Sequence, residues 1–347
     1  MFLEGSPMFF NANRVVQPEP GIIVGPIANF LGFILDFIFE ISTNISLQLA
    51  LGLSIIIFTI VVRILLLPLA IRMHKNMEKI RALKPQMDAI TKKYEGVKSP
   101  ETTRQKNIEI QKLYAENGAN PLGGCLPLII QMPIFITLFT MFQRPYIYIS
   151  RLGHIYEGIA EQIMLVPNYY TYIIQTNSIG FDKIPNNISL DLAYQSELMR
   201  LFNVYTSYDW DTLLSVLPSQ HLNYTYISSL LYEKNIIEHF LTISLVDPTG
   251  FVFPGVILAI LSAATTFLTS KLMMKQQMAM AGNNPTIVMQ QKIMLYAMPI
   301  LMGGFTITAP AGVGLYWVAS NISHLFQHIA FTKFLNKNKS EHNVTIE

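Results

Sequence analysis

Charge is what this sequence has least of. Of its 347 residues, 13% are Asp, Glu, Lys or Arg and 51% are hydrophobic, whereas a soluble domain carries about 25% charged residues. That shortage excludes an ordinary soluble domain and points to lipid as the solvent. Cysteine is nearly absent: Cys125 alone rules out a disulfide framework and a cysteine-based metal site. No cysteine lies near the N-terminus, so lipid attachment at a processed N-terminal cysteine is not expected. The first residues hold no basic patch followed by an apolar core, so no cleavable signal peptide is expected either. The net charge of +2 says little, because placement of the charges matters more than their sum.

Long apolar runs are what the chain has instead. A membrane span needs about 20 mostly apolar residues, and five segments qualify: 49–71, 125–143, 251–272, 293–308 and 313–331. The fourth is short, and Ala309-Pro310-Ala311-Gly312 must turn the chain tightly before the fifth. Pro68, Pro127, Pro133, Pro254 and Pro299 lie in or beside these spans, where neighbouring helices re-satisfy the carbonyls that proline frees. A further segment, 22–46, carries Asp36 and Glu40. Gly25, Asn29, Gly32, Asp36, Glu40 and Thr43 recur at three- and four-residue steps, opposite Phe30, Phe33, Ile34, Phe37, Ile38 and Ile41. This two-sided pattern predicts an amphipathic helix lying in the interface rather than crossing it. The expected fold class is therefore all-α, a polytopic membrane protein.

Lysine and arginine set the expected orientation. Segment 72–124 holds eleven basic residues against six acids, and segment 144–250, twice as long, holds five against ten. Lys271, Lys275 and Lys292 border or occupy the loop 273–292, and Lys333, Lys337 and Lys339 lie in the tail 332–347. The positive-inside rule places 72–124, 273–292 and the C-terminal tail in the cytoplasm, and residues 1–21 and 144–250 outside.

The cytoplasmic segment reads as a helical hairpin. Its first helix runs on from the membrane to about Tyr94 with a kink at Pro85; its second starts near Pro100 and ends at Asn117-Gly118, a good C-cap pair. Lys79, Arg81, Lys84, Lys92, Lys93 and Lys98 make either a solvated connector or a basic docking surface for RNA, lipid headgroups or a partner protein. The external segment has enough apolar residues, among them Leu213, Val216, Leu230 and Phe240, for a small helical cap. Its His154, His221 and His239 lack metal-ligand spacing, and nothing in it resembles a catalytic constellation.

Arg63 carries the most information. It interrupts an apolar run and stands nine residues before Arg72, ~13 Å along a helix, too far for simple snorkelling. A charge within a span costs at least ~2.5–3.5 kcal/mol, and none of the five spans contains an acid to offset it. Either carbonyls freed by proline hold the guanidinium, or it faces a wet pocket. Ser262, Thr265, Thr266 and Thr269 share a face of the third span. Trp317, Ser320, Asn321, His324 and His328 share one of the fifth, and Thr59 and Gln131 lie within the first and second. Stripes of this kind are usually helix-to-helix contacts; beside an intramembrane arginine they outline a hydrophilic groove.

Several stretches resemble the YidC/Oxa membrane insertases. Asn120-Pro121-Leu122-Gly123-Gly124 followed by Cys125-Leu126-Pro127-Leu128-Ile129-Ile130-Gln131-Met132-Pro133 is similar to the family's second core span. Thr59-Ile60-Val61-Val62-Arg63 with Pro68-Leu69 resembles the first span and its groove arginine, and Gly314 to Asn321 resembles the last. Met77-Glu78-Lys79-Ile80-Arg81-Ala82-Leu83-Lys84-Pro85 is similar to the start of its cytoplasmic hairpin. The resemblance implies a bacterial plasma-membrane insertase and chaperone that works alone or beside the Sec translocon. Nascent membrane proteins would be its substrates. A ribosome or targeting factor and membrane lipids would be its other partners, with no specific nucleic acid, cofactor, metal or covalent chemistry. Arg63, Thr59, Gln131, Ser262, Thr265, Thr266, Thr269, Trp317, Ser320 and Asn321 would line its groove. The external segment departs from the compact members of the family, where a short linker is expected, and the C-terminal tail is short for strong ribosome binding.

Two other functions compete. An intramembrane arginine also suits a transporter of small anions, but the sequence has no internal repeat and no matched pair of broken helices. An intramembrane protease would need paired aspartates or a serine–histidine couple with an oxyanion motif; Ser320 and His324, neighbours on one helix, make a weak one.

Overall fold

The apolar runs fold into helices. The computed structural model describes residues 21–22, 24–96, 99–120, 126–176, 191–281 and 285–344. The N-terminal stretch 1–20, Lys98, the Pro121–Cys125 part of the second-span motif and part of segment 144–250 lie outside the described residues. In order, the helices are α1 (Val24–Thr43), α2 (Leu47–Leu65), α3 (Leu67–Ala82), α4 (Lys84–Lys93), α5 (Pro100–Glu116), α6 (Leu126–Gln143), α7 (Pro145–Tyr148), α8 (Ser150–Met164) and α9 (Tyr169–Gln175). They continue as α10 (Gln195–Phe202), α11 (Ser207–Val216), α12 (Tyr224–Glu238), α13 (Gly255–Ala281), α14 (Pro285–Thr308) and α15 (Ala311–Val344). The described strands, β1 (His239–Phe240) and β2 (Ile243–Ser244), form one short antiparallel pair, so the fold is all-α in substance.

Among the described residues, three helices are long and apolar enough to cross a membrane: Val24–Thr43, Leu47–Leu65 and Gly255–Met274. Lys292–Thr308 is a shorter apolar helix. α1 thus meets the length and composition of a span, although its pattern predicts an interfacial helix.

The chain divides into two units. The first comprises Met1–Phe58, Ile134–Ile260 and Gly304–Trp317. Within it α8 packs against α7, α10 and α12, burying Leu152, Ile155, Tyr156, Ile159 and Ile163 along one face. Phe202, Tyr205 and Trp210 close a cluster of rings with centroids 4.9–5.3 Å apart, and burial pushes the Tyr205 hydroxyl pKa up. α1 joins this unit through its small residues: a methyl group at Gly32 would come within 2.7 Å of the Tyr148 ring. Its buried face is Ala28, Leu31, Leu35 and Phe39, while Phe30, Phe33, Phe37 and Ile41 stay exposed.

The second unit comprises Thr59–Pro133, Leu261–Gly303 and Val318–Glu347. Its hairpin has a small apolar centre of Ile80, Leu83 and Ala119, with Met77, Leu113 and Tyr114 against it. Lys93 donates to Glu109 across the hairpin at 2.8 Å, and Asn76 exchanges two hydrogen bonds with the Asn120 backbone. Ser99 caps α5 by accepting from the Thr102 amide, and Gly118 takes the left-handed conformation (φ 57°) just past its end.

The first hairpin helix departs from expectation: it has two joints, not one. α2 stops at Leu65 and α3 at Ala82, with Leu66 and Leu83 between helices at ψ of −2° and −6°. In each case a proline, Pro68 or Pro85, stands two residues further on. Proline has no N–H to donate and its ring crowds the carbonyl four residues back, so each joint falls ahead of it. The same logic at Pro68 places a joint inside the first apolar run, in addition to the one expected at Pro85.

Candidate functional site

The second unit gathers most of the polar residues of the apolar helices. Arg63 sits one turn beyond Thr59, near the end of α2, and Thr59 is buried. Arg63 Nη2 donates to Ser320 Oγ of α15 at 2.6 Å. This bond orients the guanidinium.

The next residue on α15 links to α13. Asn321 Nδ2 donates to Thr265 Oγ1 at 3.2 Å and to Thr266 Oγ1 at 3.0 Å. Those hydroxyls donate back into their own helix, Thr266 to the Ser262 carbonyl and Thr265 to the Leu261 carbonyl, both at 2.7 Å. Thr269 does likewise with Thr265 at 2.8 Å. Such back-bonding satisfies a hydroxyl inside an apolar helix, and leaves its oxygen lone pairs to accept from the asparagine. Leaving a buried hydroxyl unmet would cost about 1–3 kcal/mol. Ser262, Thr266, Thr269 and Ser320 are all buried, and Arg63, Thr265 and Asn321 are half-buried. The result is a hydrogen-bonded chain, Arg63–Ser320 and Asn321–Thr265/Thr266, that joins α2, α15 and α13. Towards the far end of α15 lies a cleft lined by Thr269, Leu272, Met273, His324, Leu325 and His328, and the rings of His74 and Phe331 meet at 5.6 Å.

Gln131, also singled out from the sequence, is half-buried on α6 in the same unit. Trp317 belongs to the first unit, edge-on to Phe135 at 5.6 Å, with Phe305 and Phe139 extending the stack. On the hairpin Lys79, Arg81 and Lys92 are exposed, Lys84 is half-buried, and Lys93 is tied to Glu109. That pairing raises the lysine above its ordinary pKa and lowers the carboxyl. Sequence reasoning passed over Arg144, which is almost fully buried at the end of α6. Its position at the start of segment 144–250 gave no sign of that burial.

Comparison with known proteins identifies the family. A family model described as "60Kd inner membrane protein" matches residues 43–339. A membrane protein insertase YidC of Oceanobacillus iheyensis is 28% identical over 272 residues, covering 78% of this chain and 70% of that protein. The protein named membrane protein insertase YidC 1 of Halalkalibacterium halodurans is 26% identical over 266 residues, covering 77% of this chain and 63% of the relative. A shorter stretch of 97 residues is 44% identical to the YidC insertase of Enterococcus faecalis, covering 28% and 32% of the two chains. The chain thus spans about two thirds of the length of the first two relatives. On a match covering most of its residues, the chain belongs to the 60Kd inner membrane protein family.

Proposed function

We propose that this protein is a membrane protein insertase of the bacterial plasma membrane, working alone or beside the Sec translocon. The observation that carries the reading is the Arg63–Ser320 hydrogen bond and the Asn321–Thr265/Thr266 contacts beside it. A groove with a fixed cation and a wall of hydroxyls holds water inside the bilayer. It thereby lowers the cost of drawing a short polar tail across, and the attached apolar segment then partitions into lipid by itself. Arg63 attracts acidic residues of the translocating tail, and no covalent step is needed.

In this reading five spans, 49–71, 125–143, 251–272, 293–308 and 313–331, surround a groove open to the cytoplasm. α1 lies in the outer interface with its phenylalanine row in lipid. The N-terminus is outside, the C-terminus is in the cytoplasm, and the exposed Lys79, Arg81 and Lys92 offer a surface to a ribosome or targeting factor. The family match and the names of the relatives support the activity, and the basic bias of 72–124 supports the orientation. The test is reconstitution of the purified chain in liposomes with a small single-span substrate. Protease protection of the substrate's tail should exceed that in empty liposomes; equal protection would refute autonomous insertion.

A further inference from the structure

The segment between α12 and α13 is built against local preference. β1 and β2 pair with His239 opposite Ser244 and Phe240 opposite Ile243, so Leu241 and Thr242 form a two-residue loop. Both are left-handed, at φ 47° and 72°. A two-residue hairpin loop of this kind favours asparagine and glycine, which take positive φ with little steric penalty. Leucine and the β-branched threonine do not. An apolar side chain is nevertheless held at the tip, where Leu241 is 63% exposed.

The location of the tip explains the choice. Phe240 lies so close on Gly52 of α2 that a Cβ there would overlap its ring. Gly52 is five residues into Leu47–Leu65, ~7.5 Å along a helix that is long and apolar enough to span a bilayer. The hairpin therefore rests on the flank of a span, not beyond its end. From there the chain follows the ends of α14 and α15. The Leu245 and Asp247 carbonyls accept from Gly312 and Ala311 at 2.7 and 2.9 Å, and the Gly250 amide donates to Ile307 at 3.1 Å. It then presents Phe251, Val252 and Phe253, all strongly exposed, which lead directly into the exposed apolar flank of α13 at Ile257 and Ile260. Water penalises such a continuous apolar edge, and acyl chains do not.

We propose that the β1–β2 tip is a membrane anchor: Leu241 enters the leaflet surrounding the N-terminal part of α2, with Phe251–Phe253 beside α13. The pair tethers segment 144–250 to the bilayer surface. Its occupant is lipid acyl chain, and the inference stands whether or not the chain is an insertase.

The test uses the full chain with Cys125→Ser, reconstituted in phosphatidylcholine–phosphatidylglycerol vesicles. Leu241→Cys, Thr242→Cys and, as reference, Tyr208→Cys on exposed α11 are labelled with a polarity-sensitive fluorophore. The tip labels should emit to the blue of the Tyr208 label and be quenched by acyl-chain bromine rather than aqueous iodide. Water-like emission with iodide quenching overturns the proposal, and so does blue emission without bromine quenching, which means that protein covers the tip. Leu241→Asn separates anchoring from packing. Asparagine suits the left-handed turn, so thermal stability in detergent should hold while bromine quenching at a Thr242→Cys label falls. Loss of stability with quenching unchanged would make Leu241 a packing residue and overturn the proposal.

Discussion

Asp36 of α1 caps α8, a helix more than a hundred residues away. Its carboxylate accepts from the Ser150 amide at 2.8 Å and from the Ser150 hydroxyl at 2.6 Å. Ile149, the residue at the N-cap position of α8, has no side-chain cap of its own. The acid that makes 22–46 read as interfacial thus has a structural role, because it ties α1 to the helical segment after α6.

Removing that cap should loosen the first unit. A lost N-cap costs ~1 kcal/mol, and the negative charge adds a favourable interaction with the helix dipole. Asp36→Ala should therefore lower the thermal midpoint in detergent by a few degrees, and Asp36→Asn by less, because the amide oxygen still accepts. Equal midpoints for wild type and Asp36→Ala would mean that the cap contributes nothing.

Close approach at Gly52 gives a second expectation. A methyl group there overlaps the Phe240 ring, and overpacking of this kind costs about 1–3 kcal/mol. Gly52→Ala should be destabilised, and adding Phe240→Ala should recover part of the loss. Losses that simply add in the double variant would show that the two residues are not coupled.

The Lys93–Glu109 clasp has a defined pH window. Hydrogen bonding to Lys93 lowers the Glu109 carboxyl below its ordinary 4.5, and Glu109 raises Lys93 above its ordinary 10.5. A lowered acid contributes above its unfolded value and is lost as pH falls through the lowered one. A raised lysine contributes below its unfolded value and is lost as pH rises through the raised one. Spin-label distances between α4 and α5 should stay constant from about pH 5 to about pH 10, and lengthen only outside that range. Opening near neutrality would contradict the assignment.

Lys92 and Lys93 should also behave differently. Both are exposed, and Lys93 bonds to Glu109 across the hairpin. Lys92→Glu should weaken ribosome or targeting-factor docking in a way that salt screens, with hairpin helicity unchanged. Lys93→Glu should weaken docking and open the hairpin together. If Lys92→Glu leaves docking untouched at low salt, the basic surface is a solvated connector.

What the sequence made legible is what local chemistry controls. Apolar runs read as helices: α6 ends at Gln143 and α14 at Thr308, where their runs stop. Gly118 sits left-handed after α5, as the Asn-Gly pair anticipates. Arg63 and the Ser320–Asn321 and Thr265–Thr266 pairs stood out because polarity is rare among apolar neighbours, and the structure brings them together. Contacts distant in sequence left no such trace. Nothing near Asp36 points to Ser150, nothing near Phe240 points to Gly52, and the rings of Phe202, Tyr205 and Trp210 look like any scattered aromatics until the helices fold. Helical periodicity puts Trp317 on the polar face of its helix, and nothing near it in the sequence points to its ring contact with Phe135.

The central claim is that Arg63 acts as a positive charge in a wet groove. Its most direct test is insertion of two single-span substrates, identical except for an acidic or a neutral translocated tail, into liposomes holding wild type, Arg63→Lys or Arg63→Ala. Arg63→Ala should fold, since the released Ser320 hydroxyl can turn to its own helix, as Ser323 does toward Ala319 at 2.8 Å. Its insertion of the acidic tail should fall about tenfold, equivalent to ~1.4 kcal/mol, with the neutral tail nearly unaffected. Arg63→Lys should keep most of the activity for both. An unstable Arg63→Ala, with both tails lost equally and lysine failing as badly as alanine, would contradict the account.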